Sequence, residues 1–358
     1  SNSNKVVIAY SDTPNSEYGT AVVGTVSGTS ISFGSPVVFN SGATYFTAAT
    51  FDSNSNKVVI AYRDAGNSGR GTAIVGTVSG TSISFGSEVT YTTAGSSNYN
   101  GLTFDTTNNK VILAYSDPDN SFYGTSRVGT VSGTSISFGT KVVFESASTS
   151  RISPTYDSSN QRVVIGYRGT SGYGRGVVGT VSGTNISFGT PVVFESASVF
   201  EVSSVYDSDN GKVVIAYQDG GNSNYGTSVY GTVDSSDNSI TFSTPFVFVS
   251  SGVNYVGAAY DSSNNKVAIS YVDSASPYHG KSVVYTTGSL QTNLTTENYI
   301  GIAGEAISNT ATGKITVVGG INTGQTGLTT AQKYFVQNNG TLGTSAGTPS
   351  VVAGTAIS

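Results

Sequence analysis

Cysteine, methionine and tryptophan are absent from this chain of 358 residues, and histidine occurs once. Without cysteine the chain can form neither a disulfide framework nor a thiolate metal site. A single histidine also excludes a zinc site built on several imidazoles. The missing methionines include an initiator, so we expect the chain to be processed or cut from a longer product. No apolar run approaches the length of a membrane-spanning helix.

Charged residues are scarce as well, at 10% of the chain, and the net charge is only −5. A typical globular domain has about a quarter of its residues charged. The charges are spread along the chain without a basic patch, so we expect no nucleic-acid partner and no membrane insertion. Gly, Ser, Thr and Asn take their place. Val, Ile, Tyr and Phe recur while Leu is rare, which favours strands over helices.

A motif of the type KVVIAY recurs along the whole chain. Its first, basic residue falls at Lys5, Lys57, Lys110, Arg162, Lys212, Lys266 and Lys314. The spacing of 48 to 54 residues between these positions is typical of the blades of a propeller. Seven repeats of about 51 residues therefore account for residues 1–358 as a single domain.

Each repeat contains four short runs of apolar and β-branched residues. In the second repeat they are TYFTAATFD, KVVIAY, GTAIVGTV and SISFGSEVTY, separated by clusters of Gly, Ser, Asn and Asp. No segment has a sustained helical period. The sequence predicts an all-β, seven-bladed β-propeller of four-stranded antiparallel blades.

The two ends of the chain suggest how the ring closes. The chain begins almost directly with a second strand, whereas the last residues, AGTAIS, resemble the first strand of the seventh repeat, AGEAIS. We therefore expect the C-terminal strand to pair with the N-terminal blade, which would remove the open sheet edges. A linear β-solenoid is the alternative.

Two repeated motifs have a structural and a functional interpretation. The turns after the first strand place Asp52, Asp105, Asp157, Asp207 and Asp261 at one position. Calcium loops would use such carboxylates, but a single carboxylate in each turn favours bonding to the turn's own backbone. The octapeptide SGTSISFG occurs at residues 27–34, 79–86 and 132–139, with SGTNISFG at 182–189. No helix follows it, as a phosphate-binding loop would require, so we predict a hairpin between the third and fourth strands.

The connections at the opposite rim differ from repeat to repeat, and they hold the candidate binding residues. Loops on a rigid scaffold are where binding sites usually lie, and Tyr, Asn, Ser and Gly suit adaptable recognition. Packing of these side chains against adjacent loops is the structural alternative. The candidates between the second and third strands are Tyr18, Arg70, Phe122, Tyr123, Tyr173, Tyr225, Tyr278 and His279. Those between the fourth and first strands are Tyr45, Tyr99, Arg151, Glu201, Tyr255 and Tyr299.

A catalytic centre has little support in the sequence. Nucleophilic catalysis needs a base beside a Ser or Thr, and His279 is the only histidine. A glycosidase needs two carboxylates across a cleft, for which Glu17, Glu145, Glu195, Glu201, Asp117, Asp119 and Asp219 are available. Asp12, Asp64, Asp117, Asp219 and Asp273 recur at one position after the second strand, which predicts a role in bracing loops.

Units of the type YDSSNNKVVIAYxD, the unit GTVSGTSISFG and the tail AQKYFVQNNGTLGTSAGTPSVVAGTAIS resemble repeats in tail-fibre and other structural proteins of marine tailed bacteriophages. The resemblance covers nearly the whole chain. It implies a virion or extracellular location and a role in host attachment or in the particle shell. The chain lacks a coiled-coil or other trimerisation segment, so its anchoring does not follow from the resemblance.

These observations lead to one main expectation of function. We expect a non-enzymatic recognition module without metal or cofactor, which binds a host-surface glycan or another receptor through the variable rim. The alternatives are an architectural domain that contacts other virion or fibre proteins, and an enzyme that cleaves polysaccharide.

Overall fold

A computed structural model describes residues 4–274, 279–285, 302–303, 315–316, 327–336, 342–345 and 352–356. The chain divides into two compact units, Ser1–Thr287 and Gly288–Ser358. The described residues form strands and four 3-10 helices, at Thr13–Asn15, Ala65–Asn67, Pro118–Asn120 and Thr170–Gly172, without an α-helix. None of the helices in these ranges has the length and apolar character needed to cross a membrane.

The strands of the first unit follow the predicted repeats. Repeat 1 contains β1 (Lys5–Asp12), β2 (Tyr18–Ser27), β3 (Ser30–Phe33) and the start of β4 (Val37–Asp52). Repeat 2 contains the end of β4, β5 (Lys57–Asp64), β6 (Arg70–Ser79), β7 (Ser82–Phe85) and β8 (Val89–Thr90). Repeat 3 contains β9 (Asn98–Asp105), β10 (Lys110–Asp117), β11 (Tyr123–Ser132), β12 (Ser135–Phe138) and β13 (Val142–Ser148).

The later strands continue this order. Repeat 4 contains β14 (Ser150–Asp157), β15 (Arg162–Arg168), β16 (Tyr173–Ser182), β17 (Asn185–Phe188) and the start of β18 (Val192–Asp207). Repeat 5 contains the end of β18, β19 (Lys212–Asp219), β20 (Tyr225–Asp234), β21 (Ser239–Phe242) and the start of β22 (Phe246–Asp261). Repeat 6 contains the end of β22, β23 (Lys266–Asp273) and β24 (His279–Tyr285). The second unit contains β25 (Ile302–Ala303), β26 (Ile315–Thr316), β27 (Lys333–Val336), β28 (Leu342–Gly343) and β29 (Val352–Thr355).

Each repeat of the first unit forms an antiparallel meander. In repeat 2, β5 pairs with β4 on one side and with β6 on the other, and β6 pairs with β7 and β8. The second strands begin at the predicted basic residue in six repeats; the seventh of these residues, Lys314, lies outside the described residues. The four-stranded order predicted from the sequence is confirmed in repeats 2 to 5.

The connection from the fourth strand to the next first strand differs from the prediction. We expected a loop, but β4, β18 and β22 are each single strands of 16 residues. The start of β4 pairs with β2 of its own repeat, and its end pairs with β5 of the next repeat. The chain thus passes between adjacent sheets by changing its pairing partner.

The hydrophobic core lies between consecutive sheets. Five clusters of buried side chains join the six sheets in order, each formed by residues of two adjacent repeats. Both faces of a second strand are therefore apolar, as in β10, where the run from Val111 to Tyr115 is fully buried. Antiparallel sheets packed face to face confirm the all-β, propeller-type fold. The number of blades and the ring closure stay predictions.

The first strands of four repeats surround one space. A cavity of about 520 Å³ is lined by residues of equivalent position in β4, β9, β14 and β18 and in the turns that follow them. Its lining consists of Thr50, Phe51, Ser53, Thr103, Phe104, Thr106, Thr155, Tyr156, Ser158, Val205, Tyr206 and Ser208. The first strands of these four repeats therefore border a common space.

The repeated turn aspartates bond to backbone donors. Asp105 Oδ1 accepts hydrogen bonds from the backbone N–H groups of Thr107 and Asn108, both at 2.9 Å. Equivalent pairs of bonds occur at Asp52, Asp157, Asp207 and Asp261. The predicted turn chemistry is confirmed.

The octapeptide forms the predicted hairpin. Ser27 pairs with Ser30, and Gly28 has a φ of 58°, which glycine adopts without steric cost. The last glycine of each copy explains the repetition further, because a Cβ on Gly34 would clash with the carbonyl oxygen of Thr81 in the next copy. Gly86, Gly139 and Gly189 lie in the same way against the hairpins of repeats 3, 4 and 5. Each octapeptide therefore packs against the equivalent hairpin of the next repeat.

One expected core position is exposed in the first repeat. Ile83, Ile136, Ile186 and Ile240 are at most 4% exposed, whereas Ile31 is 44% and Phe33 is 51% exposed. Each later isoleucine packs in the cluster shared with the preceding repeat, whereas Ile31 belongs to none of the five clusters that the described residues form.

The proposed pairing of the C-terminal strand with the first blade stays a prediction. Within the second unit, β29 pairs with β27, and β27 also pairs with β28. Ile357 and Ser358, the last residues of the predicted strand, lie outside the described residues.

Candidate functional site

Six of the fourteen predicted rim residues occupy one structural position. Each is the first residue of the third strand in its repeat, and we call this set the third-strand row. These residues are Tyr18, Arg70, Tyr123, Tyr173, Tyr225 and His279. Arg70 and His279 are exposed and the four tyrosines are half-buried. Tyr278 and Tyr299 lie outside the described residues.

A second set of residues forms what we call the bulge row, near the start of the first strands. Its members are Phe46, Tyr99, Arg151, Glu201 and Tyr255, which have φ values between 51° and 53°. The ladder to the second strand shifts register at each of them. A left-handed bulge residue other than glycine is strained, and such strain is concentrated at functional sites.

Members of the bulge row contact each other from repeat to repeat. The rings of Phe46 and Tyr99 lie 5.1 Å apart between centroids. The guanidinium of Arg151 lies over the Tyr99 ring at 5.4 Å, and its Nη1 is 3.0 Å from Oε1 of Glu201. Four repeats thus contribute one continuous line of aromatic and charged side chains.

The bulge row remains accessible to a ligand. Tyr255 is 75% exposed and Phe46 is 40% exposed. The side chains of Arg151 and Glu201 retain 34% and 20% of their exposure despite their ion pair. The row therefore offers both flat apolar area and charged hydrogen-bonding groups.

Phe46 was not among the residues singled out from the sequence, and Tyr45 was. The ladder pairs Tyr45 with Arg63, which places Phe46 at the position of Tyr99. Tyr45 instead lies under the Arg63 guanidinium, at 5.7 Å, and donates a hydrogen bond to Glu17. That hydrogen bond raises the pKa of Tyr45, with smaller contributions from burial and from the charge of Glu17. Tyr45 therefore stabilises the rim through its contacts with Arg63 and Glu17.

Phe122 is displayed by a turn that is fully hydrogen-bonded. Its N–H donates to the carbonyl of Asp117 at 2.8 Å, and its carbonyl accepts from the N–H of Thr149 at 3.0 Å. The side chain is 39% exposed. Phe122 has a φ of 61°, as Glu17 does in repeat 1. The variable side chain is held on a backbone that is the same in both repeats.

Most carboxylates considered for catalysis have structural partners. Glu145 accepts hydrogen bonds from Tyr167 and Arg175, and Lys141 contacts both Asp117 and Asp119. Asp64, Asp117 and Asp219 accept backbone N–H groups of the turns that follow them, which confirms their bracing role.

One pair of carboxyl groups has the character of an interacting acid pair. The pKa of Asp219 is raised, mainly by burial of the carboxyl group and secondly by the negative charge of Glu195. Glu195 itself accepts a hydrogen bond from Tyr217. Across the part of the chain that the structure describes, no group of three or more acidic, histidine or cysteine side chains is arranged to hold a metal ion.

Comparison with known proteins gives a fold but no family. No family model matches the chain, and no curated protein matches it. A protein of unknown function from Dyadobacter fermentans has a TM-score of 0.55 at 13% identity, over 78% of this chain and 91% of that one. The BP39L lectin from Burkholderia pseudomallei has a TM-score of 0.53 at 12% identity, over 79% of this chain and 82% of its own.

A third similar structure is a triple arginine-to-alanine variant of AofleA from Arthrobotrys oligospora. Its TM-score is 0.51 at 9% identity, and the match covers 79% of each chain. At such identities these likenesses show the fold alone, and they agree with a propeller-type arrangement of sheets.

Proposed function

We propose that this protein is a non-enzymatic carbohydrate-binding module that holds glycan along the bulge row. The observation that carries the proposal is the continuous contact from Phe46 through Tyr99 and Arg151 to Glu201. The likeness of the fold to the BP39L lectin is consistent with it. The tail-fibre resemblance, host attachment and a virion or extracellular location stay predictions.

The chemistry of the bulge row suits a sugar ring. Saccharides present an apolar C–H face, which packs on flat aromatic rings, and a rim of hydroxyl groups. The rings of Tyr99 and Tyr255 supply rigid amphipathic area with few rotatable bonds. The ion pair of Arg151 and Glu201 supplies a charged donor and a charged acceptor side by side, and hydrogen bonds to such groups are stronger than neutral ones.

Repetition of the row favours extended or clustered glycans. Each repeat offers only a few contacts, so a single sugar would be held weakly. When several sugars of one chain occupy neighbouring repeats, the later binding steps are intramolecular and the overall affinity rises. A polysaccharide or a dense surface glycan therefore fits better than a free monosaccharide.

A glycan array with the full chain tests the proposal, followed by titration of the strongest glycan with Tyr99→Ala and Tyr255→Ala. We expect each change to weaken binding by about tenfold, the effect of losing one stacked ring. Phe246→Ala is the matched control, since it removes a 38% exposed ring from the start of β22, away from the bulge row.

Two further outcomes separate the alternatives. Unchanged affinity in both tyrosine variants, with loss of binding in Tyr123→Ala, Tyr173→Ala or Tyr225→Ala, would move the site to the third-strand row. An array without any bound glycan would overturn the proposal and leave the architectural role. Release of shortened saccharides would indicate an enzyme, and Glu195→Gln and Asp219→Asn would then identify its acid pair.

A further inference from the structure

Arg168 is unlike the other arginines of the chain. It is the last residue of β15, and its guanidinium lies 4.8 Å from the centroid of the Phe200 ring, which belongs to repeat 5. Its Nε, like that of Arg63 and Arg175, is buried and has no hydrogen-bond partner, but Arg168 differs from both in that its Nη groups also make no hydrogen bond or ion pair with the residues that the structure describes. A buried donor without a partner is costly and rare in folded proteins.

The remaining six of the seven arginines are engaged. Arg151 and Arg175 pair with Glu201 and Glu145. The others, Arg63, Arg70, Arg127 and Arg162, donate hydrogen bonds to oxygen atoms. Within the described residues Arg168 makes neither a hydrogen bond nor an ion pair, and its one recorded partner is the Phe200 ring. Its terminal Nη donors and its charge therefore have no polar or charged partner among the described residues.

Two glycines pack closely against Arg168 and its aromatic neighbour. A Cβ on Gly172 would lie 3.0 Å from Nη2 of Arg168 and 2.8 Å from Oγ of Ser198. A Cβ on Gly220, in the turn of the next repeat, would lie 3.1 Å from the Phe200 ring. Two turns of adjacent repeats thus have glycines where a side chain would press against the guanidinium or against the ring.

In other repeats, the side chain at the strand position of Arg168 donates a hydrogen bond. Ser116 donates to the carbonyl of Phe122, Gln218 donates to the carbonyl of Val253, and Arg63 donates to Asn98 at 3.3 Å. The unpaired guanidinium is therefore particular to repeat 4 and does not follow from the repeat itself.

We propose that Arg168 is the anion-binding group of a subsite for an acidic saccharide, one that carries a carboxylate or a sulfate ester. The subsite rests on the proposed carbohydrate-binding function and specifies the class of glycan. A planar guanidinium can hold two oxygens of a carboxylate or sulfate at once. The Phe200 ring contacts the guanidinium through a cation–π interaction, and the Ser198 hydroxyl and Nη2 of Arg168 both lie close to Gly172.

The test compares acidic and neutral forms of one saccharide. Tetragalacturonate and its carboxyl-reduced, neutral counterpart are titrated into the full chain, and a glycan array with sulfated and carboxylated members separates the two anions. We expect the acidic forms to bind at least about tenfold more tightly. Arg168→Gln should remove that preference and leave the affinity for the neutral form unchanged, because only the charge-assisted contact is lost.

The control variants distinguish a specific contact with Arg168 from a general effect of positive charge on the protein. Lys266→Gln removes the same charge from an exposed residue at the start of β23, outside both rows, and should change the affinity less than twofold. Arg168→Lys keeps the charge without the two-pronged geometry, so it should retain only part of the preference. Should Arg168→Gln fail to fold, the lysine variant and the two wild-type titrations still decide.

Each outcome has a defined meaning. Binding confined to neutral glycans, or equal losses for both saccharides in Arg168→Gln, would overturn the subsite while the proposed function stands. A chain that binds no glycan on the array would overturn the proposed function and the subsite together. A preference for acidic glycans that Arg168→Gln abolishes and Lys266→Gln leaves intact would establish the subsite.

Discussion

At the scale of single residues, the most regular feature is a tyrosine that ends the KVVIAY motif. Tyr62, Tyr115, Tyr167 and Tyr217 are fully buried. Each packs against an aromatic ring of the preceding repeat, with centroids 5.1 to 5.2 Å apart, in the pairs Phe39–Tyr62, Tyr91–Tyr115, Phe144–Tyr167 and Phe194–Tyr217. Edge-to-face and tilted ring pairs of this kind stabilise adjacent sheets beyond their buried area.

The hydroxyl groups of these tyrosines provide a matched test. Tyr167 donates to Oε2 of Glu145 at 3.0 Å, whereas the buried hydroxyl of Tyr115 has no partner. Tyr167→Phe should lower the free energy of unfolding by about 1.5 kcal/mol, because a hydrogen bond to a charged acceptor is lost. Tyr115→Phe should be neutral or slightly stabilising. Chemical denaturation measures both, and equal losses would contradict the bonding described.

A glycine beneath each ring explains the dipeptide that opens the third strands. A Cβ on Gly124 would lie 2.5 Å from the Phe144 ring, and Gly19, Gly71, Gly174 and Gly226 lie equally close to their aromatic neighbours. Gly124→Ala should therefore destabilise the fold by roughly 1–3 kcal/mol through overpacking.

The clash at Gly124 has its own control. In the double variant Gly124→Ala with Phe144→Leu, the smaller side chain makes room for the methyl group. The loss of unfolding free energy should then be less than the sum of the two single losses, since the residues are in contact. Additive losses would show that the ring does not limit this position.

At the scale of elements, the carboxylate of one turn accepts hydrogen bonds from a neighbouring segment and so connects adjacent repeats. Asp119, in the 3-10 helix Pro118–Asn120, accepts hydrogen bonds from the backbone N–H groups of Thr93 and Ala94 and from Lys141. Burial raises the pKa of Asp119, but the bonds from Lys141, Thr93 and Ala94 outweigh burial and hold that pKa well below its usual range. The ionised carboxylate thus fastens repeat 3 to the end of repeat 2.

This depressed pKa predicts an acid-sensitive contribution to stability. The folded chain holds the proton of Asp119 less tightly than the unfolded chain, whose carboxyl has a pKa of about 3.9. The stabilisation is therefore complete above about pH 4 and is lost as pH falls through the folded pKa. The melting temperatures of the wild type and Asp119→Asn should differ at pH 7 and converge towards pH 2. A constant difference would contradict the bracing role.

The sequence predicts the elements well because their signals are local. The basic residue that begins β5, the aspartate of its first turn and the glycine of its hairpin each act within a few residues. The bulge row was only partly predictable, since a register shift is visible only when two strands are paired. An alignment of the repeats by residue type pairs Tyr45 with Tyr99. The strand pairing shows instead that Phe46 occupies the position in repeat 2 that Tyr99 occupies in repeat 3. The position of the Arg168 guanidinium depends on its contact with Phe200, a residue of the next repeat. No sequence motif indicates this contact.

At the scale of the whole molecule, ring closure is the main prediction still open. Deleting Gly354–Ser358 should cost several kcal/mol through lost pairing and buried apolar area. Part of that loss would come from the pairing of β29 with β27, so the melting temperature alone does not test closure.

Hydrogen exchange of β1 separates the two contributions. In an antiparallel strand, successive N–H groups point to opposite edges, and β1 uses one edge to pair with β2. If the C-terminal strand covers the other edge, the deletion should speed exchange of the alternate amides of Lys5–Asp12 that do not donate to β2. Unchanged exchange at those amides would favour an open array.

The contact of each octapeptide with the next copy of itself has a consequence for how this chain can vary. Every copy presents one surface to the repeat before it and another to the repeat after it, as Thr81 does towards Gly34. At this edge, therefore, one repeat could take the place of another without a new kind of contact between the hairpins. Such an exchange would reorder the variable turns on the opposite rim while each octapeptide kept the same contact with its neighbour.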